Sequence, residues 1–302
     1  MKYSGLWFIP SPINAADAST KNFTALINNI EAQFDFATRQ SPWALSHRLL
    51  RSIPPPSQPP SYQHILQLSH LSQGKAYCYI QPFIPPTQTP QHTQIKSEPN
   101  SQSQASTPAP TQQFSQSSTL SLSLTPAASG SIIAIPSSQS DSHISFLCNQ
   151  FSPLWGFRQA LQIPNGMTYT AGQFIIHVGE IRASRAGAAS ASSTTSPGVV
   201  VCVTAVYEDE LKDIQNKDYH NQDPDDLGFT FLDGGSQDTT TEEVDWTDFE
   251  CKVRAAWDVV KLGLDFGKVE VREVMMAKER PNAEGEIEAT VRMWCEVLRL
   301  RG

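Results

Sequence analysis

Gly263-Leu-Asp-Phe-Gly267-Lys268 is the stretch of this chain nearest to a phosphate-cradling loop. That chemistry needs four residues between the glycines and a Ser or Thr after the lysine to hold magnesium. Here three residues intervene and Val269 follows, so the segment reads as the glycine-stopped end of a helix. Asn221, Asp223 and Asp225 alternate as calcium ligands do, yet Asp226 takes the position that needs glycine and Leu232 the one that needs a bidentate Glu. Glu180 with Arg182, and Glu270 with Arg272, share strand faces in the manner of a metal-dependent phosphatase built inside a barrel. Such a tunnel requires several strands each carrying inward acids, and Tyr62–His70 and Val199–Val206 carry none. The seven histidines are scattered, and no HExxH, GxSxG or paired His–Cys arrangement occurs. No catalytic, cofactor-binding or metal-ligating residue is assigned, no cofactor is expected, and the chain reads as a non-enzyme. One tetrapeptide is left over: Ile95-Lys96-Ser97-Glu98 fits the attachment pattern of a small ubiquitin-like modifier, which marks Lys96 as a modification site.

Cys78, Cys148, Cys202, Cys251 and Cys295 are odd in number and far apart, and read as reduced small hydrophobes of an intracellular protein. The formal net charge is −8, but it is unevenly placed. Fifteen acidic residues between Glu208 and Glu250 stand against Lys212 and Lys217, a local balance of −13 that leaves +5 on the rest of the chain. An acidic sum, with no basic strand face bearing wedge aromatics, argues against nucleic-acid binding and against a DNA-binding, saddle-like sheet. No apolar run reaches the roughly 18 residues of a membrane span, and no small-molecule ligand is implied.

The elements that carry these residues alternate between strand and helix. Residues 3–9 read as a strand stopped by Pro10 and Pro12, and Phe23, Leu26, Ile27, Ile30 and Phe34 recur at helical spacing behind Asp17 or Ser19 as cap. Trp43–Ser52, Tyr62–His70 and Lys75–Gln81 are strand-like. Residues 85–130 turn Ser/Thr/Gln/Pro-rich and read as a disordered insertion, because so few apolar groups cannot offset the entropy of ordering. Ser131–Pro136 resumes as a strand. Ile144, Leu147, Phe151, Leu154 and Phe157 then suggest a helix interrupted at Pro153, or a fresh one capped by Ser152.

From Leu154 to Tyr207 the pattern predicts a short helix, a turn and two strands, Phe174–Arg182 and Gly198–Tyr207, joined by a flexible hairpin loop at 183–197. Residues 208–245 form an acidic flexible insertion. Trp246, Phe249, Val253, Ala256, Trp257, Val260 and Leu264 fall on one helix face, with Asp245 and Asp248 at its positive end. Lys268–Met275 reads as a last strand, with helix left open by Met275 and Met276, and a final helix runs from about Glu284 to Leu300. The whole is one domain over residues 1–302 with these insertions.

That final helix is apolar on more than one side: Ile287, Val291, Trp294 and Leu298 on one, Met293, Val297 and Leu300 on another. Deep burial in its own domain explains this, and so does a second face that meets another polypeptide. On the second reading Trp294, Leu298, Met293 and Val297, together with Trp246, are the candidate protein-interface residues.

GLWFIPS at the start, PWALSHRLLR with YQHILQLSHL, the LWGFRQAL–PNG–Y–AGQFIIHVGEIR block with its GVVV partner, and the ending VREVMMAKER–MWCEVLRLRG together resemble the fungal form of Mediator subunit 20. The resemblance skips the two low-complexity insertions. It implies a nuclear, non-enzymatic scaffold of the Mediator head that pairs with the related subunit 18, touches subunit 8 and other head subunits, and supports RNA polymerase II transcription indirectly. It also implies a closed antiparallel β-barrel flanked by helices. The elements above agree with an α+β fold, a closed or nearly closed antiparallel β-barrel of about eight strands with three to four flanking helices.

Overall fold

The computed structural model describes residues 1–12, 17–55, 59–72, 74–81, 130–184, 195–206, 246–278 and 283–300. The expected insertions at 85–130 and 208–245 lie outside the described residues, apart from Gly130, as do Lys96, the Asn221–Asp225 run and Asp245. In chain order the elements are β1 (Lys2–Pro10), α1 (Ala18–Gln33), β2 (Thr38–Arg39), β3 (Trp43–Ser52), β4 (Tyr62–Leu68), β5 (Lys75–Gln81) and β6 (Ser131–Pro136). A single 3-10 turn leads into α2 (Ser140–Gln150), followed by β7 (Trp155–Ala171), β8 (Phe174–Ser184), β9 (Thr195–Val206), α3 (Trp246–Val260), β10 (Arg272–Met275) and α4 (Ala283–Leu298). Among the described residues no helix is long and apolar enough to cross a membrane.

All strands join one antiparallel sheet in the order β10-β1-β9-β8-β7-β3-β4-β5-β6, with β2 added to β7. The fold is therefore α+β with four helices, but the ladder does not close: β10 and β6 are its two ends. The barrel expected from the strand count is not formed by pairing. What replaces closure is α4, which touches β10 and β1 near one end of the sheet and β4 and β5 near the other, so the sheet curls round the helix. An amphipathic sheet face needs apolar cover, and a helix apolar on two sides supplies it to both halves at once.

Directly opposed residues of an antiparallel pair share a face. Leu6, Cys202 and His177 are in register, as are Leu45 and Ile163, and these belong to the face that holds α4. Gly5, Val203 and Ile176 point the other way, under α1 and α3. There Trp7 stacks on Trp257 with ring centroids 4.9 Å apart, and a Cβ on Gly5 would lie 2.9 Å from a Val253 methyl, so the glycine is what lets α3 sit this close to β1. Asn29 of α1 donates to the carbonyls of Val260 (2.7 Å) and Leu262 (3.1 Å), satisfying the open end of α3. A second, smaller core of Leu50, Ile65, Ala76 and Cys78 lies under Ile144 of α2.

Three local expectations change. LWGFRQALQ is not a helix: from Trp155 on it is the first half of β7, held by β3 (Ser52↔Trp155 through Leu45↔Ile163) and, from Ala160, by β8 as well (Ala160↔Ser184 to Gln162↔Arg182), and this pairing outweighs the local helical preference of Arg-Gln-Ala-Leu-Gln. Pro164 falls in the register shift between Gln162 and Met167, where a missing N–H leaves no gap in the ladder. The 183–197 hairpin loop is shorter than expected, since β8 continues to Ser184 and β9 starts at Thr195. Neither proposed cap serves α1: Asp17 sits at the N-cap without a side-chain capping bond, and the Ser19 hydroxyl is committed to Glu180 at 2.5 Å. At 268–276, strand wins over helix, with Arg272–Met275 pairing Phe8–Gly5. Gly263 and Gly267 both adopt φ +74°, the left-handed conformation of helix stops, in accord with the rejected phosphate loop.

Candidate protein interface

Trp294, Leu298, Met293 and Val297 are all enclosed by the chain itself. The Trp294 ring meets Trp43 edge to face at 5.6 Å and lies 6.4 Å from His70, and its neighbours on α4 join the main core. This corrects the assignment of these four as partner contacts: the second apolar face of α4 is met by the far half of its own sheet, and no surface is left to offer. Trp246 is half-buried at the start of α3, 5.8 Å from the Tyr3 ring.

Exposed apolar surface gathers instead beyond the end of α2. Phe146 and Phe151 pack edge to face at 5.1 Å and remain 52% and 38% exposed, beside Leu154 (55%) and Ile53 (56%). Local hydrogen bonds fix the arrangement. The Phe151 carbonyl accepts from Leu154 N–H (2.8 Å) and Trp155 N–H (2.9 Å), and Ile53 N–H donates to the Leu154 carbonyl (2.8 Å). A hollow of about 470 Å³ adjoins it, lined by Ile53, Pro54, Pro55, Pro60 and Phe157, with Arg51 and Arg158 at its rim. Aromatic and aliphatic side chains rimmed by arginine, on ordered backbone, form the composition of a protein-binding patch. The sequence signal was present as Phe151 and Leu154, but helical spacing assigned both to a buried helix face.

The inner face carries a cavity of about 540 Å³ between the sheet and the first half of α4, lined among others by Lys2, Ser4, Thr168, His177, Glu286 and Trp294. Among its described lining residues Glu286 supplies the one carboxylate. Glu180 faces outward and accepts from Ser19 and Thr20 of α1, Glu270 is exposed, and Arg272 lies 3.7 Å from Glu296. The convergent acids of a tunnel phosphatase are not assembled by these pairs. Histidines judged scattered do come together in space: His47 with His64, and His70 with His177, because β3 pairs with β4 and the turn after β4 reaches β8.

Residues 1–205 match the family model Med20, described as the TATA-binding related factor of subunit 20 of the Mediator complex. No curated protein matches the chain. Among solved structures, a conserved hypothetical protein from Pyrococcus furiosus is similar at 7% identity over 70% of this chain and 85% of its own, with a TM-score of 0.30. A protein from Pyrococcus horikoshii OT3 follows at 9% identity over 71% and 85%, TM-score 0.28. A chain of the Schizosaccharomyces pombe Mediator head module is similar at 10% identity over 72% and 93%, TM-score 0.31.

Proposed function

The chain belongs to the family of Mediator subunit 20, and from that premise we propose that it works as a non-enzymatic scaffold of the head module, docking a neighbouring subunit through the patch of Ile53, Phe146, Phe151 and Leu154. The partners this reading names are subunit 18, as a heterodimer, with subunit 8 and other head subunits alongside; RNA polymerase II is reached indirectly and the setting is the nucleus. The observation that carries it is that the patch keeps four large apolar side chains in water where α2, the end of β3 and the start of β7 meet. A stable docking would bury on the order of 1,600 Å² in total, for which this patch forms the apolar centre and the two arginines the rim. Trp246 offers a smaller, secondary contact.

The test is coexpression with subunits 18 and 8 and capture of the complex. Phe146→Glu with Leu154→Glu should weaken capture on the order of tenfold or more, as loss of central anchors does. Circular dichroism and the unfolding midpoint of the isolated chain should hardly change, because both side chains are exposed already. Full capture by this double variant would overturn the assignment.

A further inference from the structure

His47 of β3, His64 of β4 and Cys295 of α4 converge from three elements far apart in sequence. All three are buried, and one ligand atom from each lies within 4.8 Å of the other two. His47 Nε2 and His64 Nδ1 are 3.0 Å apart. That contact uses one N–H and one lone pair of the two neutral rings. It leaves His47 Nδ1 and His64 Nε2 in the core without a hydrogen-bond partner among the described residues. The side chain of Gln81 comes near His64, but its oxygen is taken by Arg299 at 2.9 Å and does not meet Nε2 in bonding geometry. His47 Nδ1 and His64 Nε2 are the outer nitrogens of the pair; the two that could share one ligand are the inner ones, His47 Nε2 and His64 Nδ1.

We propose that His47, His64 and Cys295 form a metal site for one thiophilic d10 cation, zinc(II) or copper(I). The donor set is two imidazoles and one sulfur, the soft and borderline ligands these ions select. The ring nitrogens, 3.0 Å apart, need to part by only a few tenths of an ångström, on the order of a side-chain adjustment, to serve as two ligands of one tetrahedral cation at about 2.0–2.1 Å each. Binding breaks the Cys295 S–H bond and forms an S–metal bond; the proton goes to solvent, each imidazole donates a lone pair, and nothing is oxidised or reduced. The charge balance ranks the two ions. Holding a metal, the donor set of two imidazoles and one thiolate carries a single negative charge, that of Cys295. A monocation with thiolate leaves the site neutral, whereas a dication leaves one positive charge in a dry core not far from Arg299, so copper(I) fits the electrostatics better and zinc(II) needs a further ligand.

The site joins α4 to β3 and β4, so occupancy would hold the helix in the curl of the sheet. Because it is enclosed, the metal should enter on folding, and the experiment follows from that. The full chain is unfolded in chelator, freed of metal, and refolded with zinc(II) alone, with copper(I) alone under reductant, or with neither. One equivalent retained after desalting, with a midpoint raised by several degrees, is the expected result, and the arm in which it appears identifies the ion. Cys295→Ser should retain far less than one equivalent and lose that shift. Should Cys295→Ser fail to fold, X-ray absorption on the wild-type protein reads the same ligand set: two nitrogen scatterers and one sulfur at bonding distance support the site. Substoichiometric binding in both metal arms, or a bound metal with no sulfur neighbour, would overturn it.

Discussion

His177 is nearly fully buried, with its ring stacked on His70 at 4.1 Å and its Nδ1 3.1 Å from the Thr168 hydroxyl. Burial first, and then the neighbouring His70, pushes its pKa well below the ordinary imidazole value. The folded state therefore resists protonation while the unfolded chain accepts a proton near pH 6.5, so more protons are bound in the unfolded state as the solution becomes acid. The stability that neutral His177 confers is complete above that unfolded pKa and is lost as pH falls below it. Urea midpoints of the wild-type chain should drop between about pH 7 and pH 5, and the drop should be smaller in His177→Gln. Parallel curves for the two proteins would show that this ring does not titrate as its surroundings require. Both the His70–His177 stack and the His47–His64 contact illustrate why single residues resisted reading: each partner stands far away in sequence, so no spacing rule connects them.

Among the elements, α4 decides most. Its two apolar sides were legible as residues, and a two-sided helix has two physical explanations, one inside its own domain and one at a partner. The curl of the sheet selects the first, since β1 and β10 cover one flank while β4 and β5 cover the other. Trp294→Ala should then cost about 3–5 kcal/mol of unfolding free energy, the range for emptying a buried tryptophan site, with structure lost before any partner is added. A loss under about 1 kcal/mol in denaturant titration would mean that the helix is not packed as described. β7 teaches the converse. Its first half has residues at ease in a helix, yet β3 offers it a ladder along its length and β8 a second one from Ala160. By contrast Trp43–Ser52, Lys75–Gln81 and Ser131–Pro136 were readable to their end residues, because period-two patterning or a β-branched run coincided with proline, glycine or polar stops.

At the scale of the molecule, the N-terminal strand is the seam. β1 pairs β9 along its whole length on one side and β10 on the other, Trp7 meets Trp257 of α3, and α4 lies over its inner face. The family match ends at residue 205, but the cover for β1 arrives after residue 245. A fragment of residues 1–206 should therefore fail to give a protease-resistant core, because Leu6, Trp7 and Trp43 would lose their cover; a stable, monomeric fragment resisting limited proteolysis would contradict this. The α+β class, the family and the order of most elements were written in the chain, since periodicity, stop residues and segment order are properties of neighbours in sequence; β2 and the long β7 were not. Whether the sheet closes, which side of α4 is inward, where apolar surface stays wet, and that His47, His64 and Cys295 meet were settled by tertiary structure alone. Burial and ligand geometry depend on what packs opposite a residue, and in this sheet the opposing group comes from tens to hundreds of positions away.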